Sequence, residues 1–191
     1  MLRILNFILL PLFFAVSSPA NADAGEVELF PDHLLSLIET TELTLEIFHG
    51  VEIYFDETRP SSIDSRDRLI EIIPEIYRSL DIENPTECNS TELRIFLLRD
   101  DILLDRDIMS FLSWEAWDNR DVWGVYWKSS STEYREMFVS SEASGDFFNH
   151  IVVHEFYHRY QDLMCKSLRG ESIEADAKRF TRVFCRESDI C

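Results

Sequence analysis

The sequence predicts an α+β fold: a small mixed or antiparallel sheet packed against a motif-bearing helix, which a second helix follows. Three observations carry this expectation. Residues 43–48 and Val51–Phe55 alternate apolar and polar side chains on either side of His49-Gly50, the pattern of a β-hairpin with a two-residue turn. Short apolar runs then recur through the middle of the chain at strand length. The last fifty residues change to helical spacing.

The elements follow in order. Residues 31–39 suit a short helix. In residues 64–80 the apolar positions Leu69, Ile72, Ile73, Ile76, Tyr77 and Leu80 mark one helix face, with Pro74 as a potential kink. Leu93–Leu98 reads as a strand. The acidic stretch from Asp100 to Asp107 lacks the ligand spacing of a calcium loop and reads as a solvated loop or short helix. Trp114, Trp117, Trp123 and Trp127 cluster around Gly124-Val125-Tyr126, a strand with its approach loop, and such aromatics are expected in the core because each buries a large apolar area. A further strand at residues 134–140 leads directly into the motif helix.

That helix, residues 146–164, has apolar side chains at Val153, Phe156, Tyr160 and Met164, with Ser144, Gly145 and Asp146 offering capping chemistry. Within it stands His154-Glu155-Phe156-Tyr157-His158, or HExxH. Positions i and i+4 share a helix face, so His154 and His158 can place two imidazole nitrogens on one Zn²⁺. Glu155 is then next to that ion, where a carboxylate can accept a proton from a bound water. His150 extends the series, but eight residues turn it about 80° away from His158 on an ideal helix, so it is expected to cap the helix or line the cleft. His49 is expected in the turn.

A catalytic zinc takes three protein ligands and keeps one position open. Past Gly170 a second helix starts near Ser172, with Ile173, Ala177, Phe180 and Phe184 as its buried stripe. Glu171, Glu174 and Asp176 are the carboxylates within reach. All three suit a first helical turn through the helix dipole. Glu174 lies beside the buried stripe and is the favoured ligand, since no suitable histidine follows.

With these residues in view, the chain resembles gluzincin-type zinc metallopeptidases of the secreted, minimal-domain kind. His154 to Gln161 is similar to their HExxH-xx-Q run, and Glu174-Ala175-Asp176-Ala177 to their Glu-x-x-Ala element. The resemblance spans residues 43–184, with residue-level motifs confined to the two helices. It implies a zincin-like fold, Zn²⁺ as cofactor, His154, His158 and Glu174 as ligands, Glu155 as general base, and a peptide substrate paired to an edge strand at 124–128 or 134–140. Two positions depart from the pattern. Lys178 stands where such proteins carry a supporting Asp, and no Tyr or His follows Glu174 to stabilise an oxyanion. Arg179, Arg182, Tyr126 and Tyr134 are the available substitutes.

Residues 1–22 read as a secretory signal peptide: Arg3, an apolar core from Ile4 to Val16, and Ala20-Asn21-Ala22 as the cleavage site. That core is short of the roughly 20 residues needed to span a bilayer. Residues 23–191 are then one domain, periplasmic or secreted, with no stable membrane insertion. With Arg3 removed, 36 acids face 17 bases, a net charge of −19 that disfavours nucleic acid and anionic lipid. Cys88, Cys165, Cys185 and Cys191 suggest two disulfides in one of three pairings; Cys165 and Cys185 end the two motif helices, which suits a bridge between them and leaves Cys191 to pair with Cys88. The functional expectation is an exported zinc metallopeptidase. The alternatives are a weak or inactive metallopeptidase-like binding module, or another zinc hydrolase acting on cell-envelope amides.

Overall fold

The computed structural model describes residues 42–80, 92–103, 123–128, 135–164, 171–188 and 190–191. Strands β1 (Thr44–Phe48) and β2 (Val51–Phe55) form the expected hairpin, with Thr44 opposite Phe55 and Phe48 opposite Val51. Its two turn residues, His49 (φ 50°) and Gly50 (φ 73°), are both left-handed, as a primed turn requires to match the twist of the strands. Helix α1 (Pro60–Leu80) begins four residues before the predicted periodicity and continues through Pro74. Its Leu69, Ile72, Ile73 and Ile76 are completely buried, each contributing about 1.5–3 kcal/mol of apolar transfer. Strand β3 (Leu93–Leu98) leads into a single helical turn, α2 (Asp100–Leu103), which occupies the start of the acidic stretch.

Strands β4 (Gly124–Lys128) and β5 (Arg135–Ser140) precede helices α3 (Gly145–Leu163) and α4 (Glu171–Glu187). The sheet is mixed, in the order β1-β2-β3-β5-β4, with β2, β3 and β5 parallel and an antiparallel strand at each edge. One face of the central strands is wholly apolar where the helices cover it, whereas the other also carries Glu52, Arg94 and Glu136 side by side, with Arg94 paired to Glu52 at 2.9 Å. On one side Val51, Ile53, Leu93, Ile95, Met137 and Val139 meet α1 and α3 in the main core. On the other, Phe96, Leu98, Phe138 and Leu103 form a second, smaller cluster with Tyr54 and Trp127 against them. Trp123 packs against the main core, so the two described tryptophans serve different cores. Trp114 and Trp117 lie outside the described residues, as do residues 1–41, including the signal-peptide reading and the short helix expected at 31–39. No helix among the described residues is long and apolar enough to cross a membrane.

The motif helix differs from its expected amphipathic form. α3 is buried around most of its circumference: Phe148, Ile151, Val152, Val153, Phe156 and Leu163 are covered, and so are Asn149, Glu155, His158, Gln161 and Asp162. The reason is its central position, with α1, α4, β4 and β5 all packed around it. Ser144 occupies the N-cap, but its side chain makes no capping hydrogen bond. The turn into α3 is instead organised by Ser140, whose hydroxyl accepts the N–H groups of Glu142 (3.1 Å) and Ala143 (3.2 Å) and donates to Asp100.

The expected cysteine pairing is overturned. Cys185 is bonded to Cys191, with Cα atoms 4.8 Å apart, because the chain reverses as soon as α4 ends. The hook lies against α3, where the Asn149 side-chain amide donates to the Ile190 carbonyl at 2.5 Å. Cys88 and Cys165 lie outside the described residues.

Candidate metal centre

Helical spacing brings His154 and His158 onto one face of α3, with ring centroids 4.8 Å apart and planes at 86°. Glu174 reaches them from the first turns of α4. Its Oε2 is 3.3 Å from His154 Nε2 and its Oε1 is 3.0 Å from His158 Nε2, while the two Nε2 atoms are 3.2 Å apart. Four ligands around Zn²⁺ at 2.0–2.1 Å are separated by about 3.3 Å along the edges of the tetrahedron. The two Nε2 atoms therefore already have the spacing of one such edge, and the two carboxylate oxygens of Glu174 each keep a similar distance to a different ring, the ligand atoms of the three residues lying within 4.8 Å of one another. Among the described residues they form the one group of His, Cys, Asp or Glu side chains able to hold a metal ion. Asp176 turns away to pair with Arg179 at 2.8 Å, and His150 faces the Cys185 sulfur at 3.9 Å instead of joining the group.

The electrostatics couple the three side chains to one another. Hydrogen bonds to His154 and His158 hold the Glu174 carboxyl far below the usual carboxylate range. Burial pulls the His158 pKa down, but the Glu174 hydrogen bond, the nearby acidic charges and Gln161 outweigh it and leave the value raised. Two imidazole nitrogens and both oxygens of a carboxylate converge at hydrogen-bonding distance, an arrangement that a shared proton or a metal ion relieves. The histidines are largely covered, whereas half of the Glu174 side chain is exposed, so the group opens to solvent on the α4 side.

Glu155 is buried beside this group. Burial raises its pKa, with Glu174 adding to the rise, while His154, His158 and the backbone N–H of Tyr126 oppose it. That backbone contact ties Glu155 to β4. Ser140 N donates to Trp123 O at 2.8 Å, so Trp123 faces β5, and alternation turns Gly124 and Tyr126 toward the open edge. Gly124 permits this close approach. A Cβ added there would stand 2.4 Å from Ile151 Cγ2 and 3.1 Å from Glu155 Cγ. Ile151 is β-branched and buried, so it cannot swing aside. Gly124→Ala is expected to cost about 1–3 kcal/mol and to push β4 off Glu155, which thermal melts will register.

No family model matches the chain, and neither a curated protein nor a solved structure does so. The centre therefore stands on its own geometry.

Two features of its surroundings were missing from the sequence reading. His158 Nδ1 lies 2.9 Å from Gln161 Oε1, and Gln161 Nε2 donates to the Ile173 carbonyl at 3.1 Å. Lys178, where a supporting acid was expected, is exposed. Behind the site, Asp162 is 1 % exposed and accepts hydrogen bonds from Arg135 Nε (2.8 Å) and the Tyr126 hydroxyl (3.1 Å). Tyr126 is consequently engaged away from the donor group, and burial followed by the Asp162 charge pushes its pKa far up. Of the other oxyanion candidates, Arg179 is exposed and paired with Asp176, Arg182 is exposed, and Tyr134 lies outside the described residues. An acid in the last turn of a helix opposes the helix dipole, and Arg135 compensates it. No local sequence signal marks this pair, since Arg135 is followed at once by Glu136 in its strand.

Proposed function

We propose that the chain is an exported zinc metallopeptidase of the gluzincin type, with a zincin-like arrangement of its sheet and two helices. The observation that carries this reading is the convergence of His154, His158 and Glu174 on one point, with Glu155 buried alongside. His154, His158 and Glu174 would hold the zinc, which would supply the Lewis acidity to acidify a water and polarise a carbonyl. Glu155 accepts the proton of the attacking water and passes it to the leaving amine, a task suited to a carboxyl whose pKa burial has raised. Among the described residues no strand pairs with the outer edge of β4, which offers the Gly124 amide and carbonyl and the Tyr126 carbonyl to an extended peptide that adds as a further strand. This choice favours 124–128 over 134–140, because β5 is paired on both sides. The Cys185–Cys191 bond fits an exported chain.

A binding module that keeps the metal without cleavage is the competing reading, favoured by the engagement of Tyr126 with Asp162. Zinc analysis of the purified chain together with a peptide-library digest separates the two. One zinc per chain with cleavage supports the peptidase. One zinc without cleavage supports the binding module, and cleavage of envelope amides alone supports the other hydrolase. Zinc at a thousand times its Kd is expected to stabilise the fold by about 4 kcal/mol. A melting temperature unmoved by zinc, or moved equally in His154→Ala, removes the metal site from the proposal.

A further inference from the structure

We propose that Gln161 is a positioning residue that sets the His158 ring and the first turns of α4 as a single unit, presenting His158 and Glu174 to the metal together. The proposal rests on the metal-centre reading and extends it to a residue outside the donor group. Gln161 is completely buried in the interface between α3 and α4. Its carboxamide has one accepting end and one donating end. The Ile173 carbonyl can only accept, so the amide nitrogen must face it, at 3.1 Å. The amide oxygen is thereby turned to His158 Nδ1, 2.9 Å away. An oxygen there requires Nδ1 to carry the hydrogen, and the His158 Nε2 lone pair is left for the ion. The orientation of the amide is thus dictated by a backbone group of α4, one residue before Glu174.

The same amide spans the distance between the two helices. Moving α4 along α3 would stretch the bond to Ile173 and shift Glu174 from the His158 Nε2 it now faces at 3.0 Å. Neither of the two side chains nearest to it in size does both jobs. A glutamate accepts from Nδ1 but repels the Ile173 carbonyl, and a methionine of similar length does neither.

The test uses the full chain as wild type, Gln161→Met and Gln161→Glu, with zinc affinity read by competition against a chromophoric chelator. The His158 tautomer is read by long-range ¹⁵N–¹H NMR without metal. Gln161→Met is expected to weaken zinc binding by about 10–100-fold, the usual effect of losing a group that orients a ligand. It is also expected to replace the single Nδ1–H tautomer by a mixture. Gln161→Glu is expected to keep that tautomer and still bind zinc more weakly, because only the α4 link is broken. In a Glu174→Gln background the loss caused by Gln161→Glu should largely vanish, since the link acts through Glu174. Wild-type affinity in both variants, or an unchanged loss in the Glu174→Gln background, overturns the proposal. If Gln161→Met does not fold, Gln161→Glu and its double variant carry the decision. A wild-type chain that binds no zinc ends the metal-centre reading, while a mixed His158 tautomer in that chain would end the Gln161 proposal independently.

Discussion

Glu155→Gln is expected to lower peptide hydrolysis by about 10²–10⁴-fold while leaving zinc bound, the range that a positioned general base contributes. The variant keeps the size of the side chain and an oxygen that can accept the Tyr126 N–H, so β4 stays where it is. The site around it is unforgiving in shape, with Gly124 pressed against the side chain. A neutral amide is also easier to bury than a carboxylate, so the fold should not suffer. The loss belongs in kcat, with KM nearly unchanged, because Glu155 acts on the proton and holds no part of the substrate. Steady-state kinetics on a cleaved library peptide, with zinc content measured on the same sample, check this. Full activity in the variant would remove Glu155 from the chemistry. Lost zinc would make it a ligand instead of a base.

The largest effect on stability is expected from Arg135→Met. Arg135 and Asp162 are buried at 8 % and 1 % side-chain exposure, and their ion pair joins the start of β5 to the end of α3. Taking away the guanidinium leaves the Asp162 carboxylate in the interior without that countercharge, a change that costs about 3–5 kcal/mol. For a domain of this size that lowers the melting temperature by on the order of 10 °C. The double variant Arg135→Met/Asp162→Leu should recover most of the loss, because burying both charges is itself expensive and two apolar side chains avoid that cost. Chemical denaturation of the single and double variants measures both. A single variant within about 1 kcal/mol of wild type would mean that the pair contributes little.

What could be read from the sequence was what local spacing encodes. The His49-Gly50 turn, the buried face of α1 and the shared face of His154 and His158 all follow from periods of two or 3.6 residues, and each appears in the structure. Glu174 was reachable because a zinc with two histidines needs a third ligand and the candidates were few. Long-range choices left no such trace. Nothing in residues 124–140 distinguishes the edge strand from the inner one, yet β4 lies outside β5. The Arg135–Asp162 pair joins residues 27 positions apart, and either alone looks like an ordinary surface charge. Gln161 was visible within the motif run, but its meaning depends on Ile173, which only the packing of α4 on α3 brings near. The cysteine pairing failed for the same reason: the reversal after α4 cannot be seen as a pattern of residue types.

The donor group also has a consequence for how the chain reaches its native state. His154, His158 and Glu174 fall within 21 consecutive residues, so a short loop closure assembles them. The parallel pairings are more remote: Val51 meets Leu93, and Leu93 meets Arg135, each 42 positions apart. Contacts of low sequence separation form sooner than distant strand pairings. The helical hairpin that carries the three side chains is therefore the part of this topology suited to form early, with the sheet completing against it.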